Sequence, residues 1–253
     1  MSTDLNSFIS MGSGWLGELA ENTVHVYTCD LAWTETQAAF AWRWLHVDER
    51  SRVERWRDPV VRRRFIAGRS YLRWLLGRYL HLRPDEVEIR YAPQGKPVVD
   101  GIQFNLAHSW DVGVIAFAQK IPVGVDVEWI DPQLDFGQAV RLAFSPQEKS
   151  MMEKLPEDQQ RGAFYQIWTC KEALLKAIGE GFHISPRAFS VQIDRSQSPR
   201  IESIEENGID VSQFQLTPIW VQDQYSAAIA YIHNGAKPIL EFAKLSASCT
   251  GSI

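Results

Sequence analysis

The chain has 253 residues, of which 45% are hydrophobic and 23% are charged, and it contains 10 tryptophans. This composition is typical of a globular protein with one large domain or two small ones, and it excludes a disordered or fibrous chain. The net charge of -5 argues against a nucleic-acid-binding protein, yet residues 50–83 (the arginine segment) hold eleven arginines against Glu54 and Asp58, a local charge of +9. We therefore expect an anionic partner at the arginine segment.

The first part of the chain alternates helices with short strands. Residues 1–20 are expected to form a mobile N-terminal extension. The elements predicted after it are a strand at 24–27, helices over 37–57 and 60–80, and strands at 87–91, 97–99, 102–106, 112–118 and 123–128. Asp58 and Pro59 mark the start of the long helix, because Asp caps free N–H groups and Pro fits the first turn. Its apolar residues recur at helical spacing, and its other face carries Arg62, Arg69 and Arg73.

The second part of the chain repeats the order of helices followed by strands. Ser145 and Glu148 form a capping box, which predicts a helix start. A long helix over 161–178 follows, with strands at 189–193, 200–204, 214–221, 225–232 and 239–245 and a loose tail at 246–253.

The two long helices share a thirteen-residue pattern in which Arg69 matches Lys171 and Leu72 matches Leu174. This shared pattern is explained either by duplication of one half of the chain or by coincidence. The predicted fold class is α+β, with two similar halves, 21–121 and 122–245, that form a pseudo-dimer within one chain. Each half is expected to pack a long helix on a small, mainly antiparallel sheet, and the protein is expected to be a monomer.

The three cysteines are Cys29, Cys170 and Cys249, and they show no CxxC spacing and no accompanying histidine cluster. A disulfide framework and a zinc site are therefore not expected. No Lys or Arg precedes Arg43, and no apolar run reaches the ~18 residues that a membrane span needs. These features predict a cytoplasmic protein that is not attached to a membrane.

Two carboxylates occupy one face of the strand predicted at 123–128 (VGVDVE). Because successive strand residues point to opposite sides, Asp126 and Glu128 project together. Their repulsion favours a cation between them, and Mg²⁺ is the natural candidate because it prefers carboxylate and phosphate oxygens. The alternative is a strand with a solvated acidic face.

The second long helix carries a further carboxylate and an amine. Glu172 and Lys176 are four residues apart and are therefore neighbours on the helix surface, where an ordinary surface ion pair is the alternative. Trp168 lies on the same stripe. A third carboxylate and a lysine are what a metal-bound diphosphate requires, because they supply one more ligand and a cation for the developing charge.

Two further side chains are candidates for contacting phosphate. His108 lies at the end of a predicted strand, and Lys96 lies in a Gly-Lys-Pro turn that exposes its amine. A single histidine in a turn is more often structural than functional, and a structural role is the alternative for His108.

In combination these motifs resemble the signature of the 4′-phosphopantetheinyl transferases, of the larger, two-half type that activates surfactin synthetase (Sfp-like). The resemblance spans about residues 24–235. Its motifs are GVDVE at 124–128, WTCKEALLK at 168–176, GKP at 95–97, FNLAHS at 104–109, FSPQE at 144–148 and the arginine-rich helix.

The resemblance implies an enzyme that transfers the 4′-phosphopantetheine arm of coenzyme A to a serine of an apo acyl or peptidyl carrier protein, releasing adenosine 3′,5′-bisphosphate. By position, Asp126, Glu128 and Glu172 would hold Mg²⁺ on the diphosphate. Glu172 would also help to deprotonate the serine, directly or through water, and Lys176 would steady the attacked phosphate.

The resemblance also implies which residues meet the rest of coenzyme A and the carrier. His108, Lys96, Arg52 and Arg64 would contact the 3′-phosphate. The segment 133–142 is expected to meet the carrier, which could serve fatty-acid, polyketide or nonribosomal-peptide synthesis.

Three positions depart from the family pattern. Ala107 stands where many relatives have Ser or Thr, so that a hydroxyl contact near the 3′-phosphate is missing. Glu49 stands where lysine is common, which leaves Arg50 or Arg52 as the substitute, and Trp129 stands where a basic or small polar residue is frequent. None of these departures affects the expected metal ligands.

Two other classes of function are alternatives. A non-catalytic protein that binds coenzyme A or a nucleotide would have lost a metal ligand, whereas all three carboxylates are present. A nucleic-acid-binding module would interleave aromatic residues with its basic face, whereas Phe65, Trp74 and Tyr79 follow the buried period of their helix. The transferase is therefore the predicted function.

Overall fold

A computed structural model of the chain describes residues 9–12, 16–93, 95–179, 185–194, 197–204 and 210–247. Its α-helices are α1 (Glu35–Ala41), α2 (Val47–Glu54), α3 (Pro59–Leu80), α4 (Gly137–Ala143), α5 (Pro146–Glu153) and α6 (Glu157–Ile178). Its strands are β1 (Ile9–Gly12), β2 (Thr23–Asp30), β3 (Arg90–Tyr91), β4 (Pro97–Val98), β5 (Gln103–Ser109), β6 (Val112–Ala118), β7 (Val123–Trp129), β8 (Phe189–Asp194), β9 (Gln197–Ile204), β10 (Phe214–Pro218), β11 (Tyr225–Ile232) and β12 (Ile239–Ala247). Within these ranges no helix has the length and apolar character needed to cross a membrane.

Each half of the molecule packs one long helix against a small sheet. In the first half α3 covers a five-stranded sheet of order β1-β12-β2-β6-β5, in which β12 and β2 are parallel and the other neighbours antiparallel. In the second half α6 covers the antiparallel sheet β10-β11-β7, with the hairpin β8-β9 beside it. The predicted α+β class with two similar halves is therefore confirmed.

The two halves meet along the faces of their sheets that point away from the long helices. Valines of β2 and β6 share one apolar cluster with valines of β7. Two side chains of β5 also bind the backbone of β7: Asn105 Oδ1 accepts from the Val125 N–H at 2.9 Å, and Ser109 Oγ accepts from the Trp129 N–H at 3.0 Å. These contacts bring the end of β5 next to the carboxylates of β7.

Each long helix of 22 residues follows an 8-residue helix that begins with a capping box. The box at Ser145 and Glu148 confirms the helix start predicted there, and an equivalent box joins His46 to Glu49 at α2. Both glutamates are buried. The two halves thus share more than an order of elements.

Both capping glutamates pair with cations from the long helix that follows. Glu49 accepts from Arg73 at 2.6 Å and lies 3.3 Å from Arg69, and Glu148 accepts from Lys171 at 2.7 Å. The repeated arrangement favours duplication over coincidence. It also corrects the prediction that Arg69 and Arg73 lie on an outward face: both are buried, because Glu49 supplies the counter-charge that burial of a guanidinium requires.

Several predicted element boundaries were wrong. The helix predicted over 37–57 is divided into α1 and α2, because Leu45 is extended (φ -77°, ψ 140°) and His46 caps a new helix. Only Arg90–Tyr91 of the strand predicted at 87–91 forms, and α4 had no counterpart in the sequence prediction.

The ends of the chain differ from the predicted extension and tail. Ile9–Gly12, within the predicted mobile extension, forms β1 and pairs with β12. β12 itself runs on to Ala247 and pairs with β2, so a strand assigned to the half 122–245 completes the sheet of the other half. Residues 1–8, 13–15 and 248–253 lie outside the described residues.

Candidate active site

The site begins where β7 crosses α6 at backbone contact. A Cβ at Gly124 would lie 2.1 Å from the carbonyl oxygen of Ala173 and 2.3 Å from the nitrogen of Ala177. Only glycine allows this approach, because real Cβ contacts of this length do not occur. The close packing places the carboxylates of β7 beside the polar face of α6.

Asp126 and Lys176 form an ion pair across this contact. Lys176 Nζ donates to Asp126 Oδ1 at 2.6 Å, while Oδ2 of Asp126 is buried and has no hydrogen-bond partner in the described part of the chain. The residue Asp126 is only 4% exposed. Lys96 approaches from the other side and donates from Nζ to the Lys176 carbonyl oxygen at 2.8 Å.

Glu128 is oriented by the end of β5. Ser109 Oγ donates to Glu128 Oε2 at 3.0 Å and in turn accepts the Trp129 N–H. A hydroxyl that accepts from the backbone and donates to a carboxylate fixes the direction of both groups. Ser109 belongs to the FNLAHS motif at 104–109, but no role was predicted for it.

The three predicted carboxylates lie around one pocket of about 390 Å³, which we call the carboxylate pocket. Burial raises the pKa of Asp126, Glu128 and Glu172. The negative charge of Asp126 raises the pKa of Glu128 and Glu172 further. The positive charge of Lys176 acts in the opposite direction on all three carboxyl groups, but their pKa values remain raised. The pocket is lined by Leu106, Ala107, His108, Asp126, Glu128, Trp168, Glu172 and Lys176.

The residues of the carboxylate pocket fit a hard divalent cation. In the part of the chain that the structure describes, no three His, Cys, Asp or Glu side chains are already clustered as a metal-binding group. However, Asp126 Oδ2 is a buried oxygen without a hydrogen-bond partner among the described residues, and carboxylate oxygens, completed by water and phosphate, are ligands that Mg²⁺ prefers.

A second pocket of about 490 Å³, the arginine pocket, adjoins the first. Leu106 and His108 line both pockets. Burial lowers the pKa of His108, and the charges of Lys176, Arg64 and Arg69 lower it further. The arginine pocket is lined by Arg52, Trp56, Val61, Arg64, Phe65, Gly68, Arg69, Pro97, Leu106, His108 and Trp110.

The predicted phosphate contacts divide between these pockets. Arg52 and Arg64 line the arginine pocket, and the guanidinium of Arg52 lies 5.4 Å from the ring of Trp56 and 5.5 Å from that of Phe65. Lys96 lines neither pocket. Its Nζ donates instead to the backbone carbonyl oxygen of Lys176.

The turn between β5 and β6 was not among the predicted site elements. Trp110 lines the arginine pocket with a left-handed backbone (φ 48°), and Asp111 pairs with Arg64. The strands predicted at 102–106 and 112–118 left a five-residue connection, so the sequence carried no signal of a tight turn. In the structure β5 runs on to Ser109, and the remaining two-residue connection demands unusual dihedral angles.

Comparisons with known proteins show which family the chain resembles. A family model described as the 4′-phosphopantetheinyl transferase superfamily matches residues 122–230. The 4′-phosphopantetheinyl transferase HetI of Nostoc sp. is 36% identical over 64% of this chain and 71% of its own length. A phosphopantetheinyl transferase of Thraustochytrium sp. is 29% identical (76% of this chain, 72% of that protein), and psf-1 of Bacillus pumilus is 32% identical (58% and 63%).

Proposed function

The chain belongs to the 4′-phosphopantetheinyl transferase superfamily, and from this membership we propose that it transfers the 4′-phosphopantetheine arm of coenzyme A to a serine of an apo carrier protein. The observation that carries the proposal is the junction of the carboxylate pocket and the arginine pocket at His108. Coenzyme A carries a diphosphate and a separate 3′-phosphate, and the two pockets match these two anionic groups.

We assign Asp126, Glu128 and Glu172 as the residues that would hold Mg²⁺. When bound, the ion would neutralise charge on the diphosphate and orient its oxygens. Two observations support this assignment: Asp126 Oδ2 is buried with no hydrogen-bond partner among the residues that the structure describes, and a hydrogen bond from Ser109 directs Glu128.

Glu172 acts as the proton acceptor for the serine hydroxyl, directly or through a water molecule. Burial raises the pKa of its carboxyl group, which makes the carboxylate a better base near neutral pH. The serine oxygen forms a bond to the phosphorus that bears pantetheine. The bond from that phosphorus to the leaving phosphate breaks, and adenosine 3′,5′-bisphosphate departs with the electron pair.

Lys176 stabilises the charge that develops on the attacked phosphate, because its ammonium group lines the carboxylate pocket. His108, Arg52 and Arg64 bind the 3′-phosphate from the arginine pocket. We assign Lys96 to the same group of cations, although its observed contact also supports a role in holding the Lys176 turn of α6.

The carrier protein docks beside α4, within the segment 133–142. Leu142 is 67% exposed and Leu134 is 39% exposed, and the exposed Arg141 directly precedes Leu142 in the sequence. An exposed apolar residue beside a cation suits the acidic helices that carrier proteins present. Because both pockets are built from one chain, we also propose that the enzyme acts as a monomer.

The proposal is tested by incubating the protein with Mg²⁺, coenzyme A and apo carriers of the fatty-acid, polyketide and nonribosomal-peptide types. We expect a mass gain of one phosphopantetheine arm on at least one carrier. Glu172→Gln should abolish the gain, whereas Glu153→Gln, at an exposed position of α5, should not. Binding of coenzyme A without transfer to any carrier would contradict the proposal and favour the non-catalytic alternative.

A further inference from the structure

Arg64 is held on one edge and one face by the turn that connects β5 and β6. Its Nε donates to Asp111 Oδ1 at 2.8 Å, and its guanidinium carbon lies 5.1 Å from the ring centre of Trp110. The side chain of Arg64 is 21% exposed. Among the described residues no second carboxylate pairs with Arg64, so its terminal nitrogens are available to the arginine pocket.

The turn holds Trp110 in a conformation that a large side chain rarely adopts. Its φ of 48° lies in the left-handed region, which is unfavourable for residues with bulky side chains. Core burial does not compensate for this cost, because the residue is 54% exposed. Its ring contacts are instead Trp129, at 5.1 Å between centres, and Arg64. The strain is therefore associated with the pocket rather than with the core.

The same turn also contacts the other half of the molecule. Ser109, directly before Trp110, donates to Glu128, and Trp110 packs on Trp129. The turn is thus anchored on β7, and residues of that anchored turn hold Arg64 of α3.

We propose that Asp111 and Trp110 are positioning residues that hold Arg64 ready to bind a phosphate group. A guanidinium presents five donors in a rigid plane, and it loses less conformational entropy on binding when its plane is already fixed. Asp111 occupies the Nε edge and Trp110 occupies one face, which leaves the terminal nitrogens for the anion. The inference deepens the proposed function and rests on it, because the anion is the 3′-phosphate of coenzyme A.

A contrary role for Asp111 makes opposite predictions. If Asp111 competed with the phosphate for Arg64, then replacing it by Ala or Asn would strengthen binding. If Asp111 positions Arg64, Asp111→Ala should weaken binding, while Asp111→Asn, whose amide oxygen still accepts from Nε, should retain it.

The test is the dissociation constant of adenosine 3′,5′-bisphosphate, measured by calorimetry in the presence of Mg²⁺, with thermal unfolding as a check on folding. We expect Asp111→Ala to raise the dissociation constant about tenfold and Asp111→Asn to change it by less than about twofold. Trp110→Gly, which fits the left-handed turn but removes the ring, should also weaken binding. Asp85→Ala is the matched control, because Asp85 pairs with Arg83 outside both pockets.

A double-mutant cycle separates positioning from an independent effect. In an Arg64→Ala background, Asp111→Ala should cause no further loss, because Asp111 acts through Arg64. Additive losses, unchanged binding in Asp111→Ala, or tighter binding in either Asp111 variant would overturn the inference and leave the proposed function intact. A wild-type protein that does not bind the bisphosphate would overturn both.

Discussion

The ammonium group of Lys176 lies 2.6 Å from Oδ1 of Asp126, and this ion pair joins α6 to β7 at the centre of the carboxylate pocket. Replacing Lys176 by Met would leave the buried Asp126 without its counter-charge. Because Lys176 is itself 32% exposed, we expect a loss of about 1–3 kcal/mol in the free energy of unfolding, measured in urea, together with loss of transfer.

The control for this variant is Lys154→Met, at an exposed position at the end of α5, which should retain both stability and activity. The double variant Lys176→Met/Asp126→Asn should recover part of the stability, but not the activity. Equal stability of Lys176→Met and the wild-type protein would contradict an energetic role for the ion pair.

Gly124 and Gly162 offer a matched pair of glycine-to-alanine substitutions. Gly124→Ala should lower the free energy of unfolding by about 2–4 kcal/mol, because β7 must move away from the backbone of α6. Gly162→Ala meets open space on the same helix and should stabilise the protein by about 0.5–1 kcal/mol. Urea denaturation measures both, and a Gly124→Ala protein as stable as the wild type would contradict the close approach.

Two lysine–glutamate ion pairs have the same distance between nitrogen and oxygen but differ in burial. Lys171 Nζ lies 2.7 Å from Glu148, with both side chains buried, and Lys120 Nζ lies 2.7 Å from Glu21, with both side chains exposed. Lys171→Met should lower the free energy of unfolding by about 3–5 kcal/mol, because it leaves a buried carboxylate unpaired. Lys120→Met should cause no measurable change in the same urea titration. Similar losses in both variants would show that burial does not determine how much these ion pairs contribute to the free energy of unfolding.

His108 should make phosphate binding dependent on pH. Burial and three neighbouring cations lower its pKa, which favours the neutral imidazole in the free protein. A bound phosphate would raise that pKa, because it favours the protonated form, so binding takes up a proton and strengthens as pH falls.

The measurement for His108 is the affinity for adenosine 3′,5′-bisphosphate between about pH 8 and pH 6, compared with His108→Gln to cancel titration of the ligand itself. The advantage of the wild-type protein over the variant should grow as pH falls. A ratio that does not change with pH would remove His108 from the phosphate contacts.

Leu142 tests the proposed carrier surface. Leu142→Ser should raise KM for the carrier protein about tenfold and leave KM for coenzyme A unchanged, since the side chain is exposed on α4 and lines neither pocket. Val47→Ser is the control, because Val47 is 62% exposed on α2. Equal effects of the two variants on the carrier KM would place the docking surface elsewhere.

The parts of the fold that could be predicted are those specified by local sequence. β6 and β11 have the predicted bounds, because their apolar and β-branched runs end at clear turns. The capping residues Asp58 and Ser145 begin helices as predicted, because a cap is a contact within one turn of chain. The grouping of Asp126 with Glu128 follows in the same way from the alternation of one strand.

Other features depended on residues far apart in sequence. Nothing near Arg69 or Arg73 indicates that Glu49 would bury them, and nothing near β12 indicates that it pairs with β2. Local periodicity shows which side chains share a face, but the segment that covers this face is chosen by packing of the whole chain.

The order of elements, the family motifs and the residues that could carry the chemistry can be read from the amino-acid sequence alone. The folded chain is needed to show that the carboxylates of β7 meet Lys176 through a backbone contact at Gly124, and that the turn at 109–111 holds Arg64. These relationships are contacts between elements, and their distances follow from packing and electrostatics across the two halves. The local charge of +9 in the arginine segment illustrates both levels: the sequence shows the excess of cations, and the fold buries some of them against Glu49 while others line the arginine pocket.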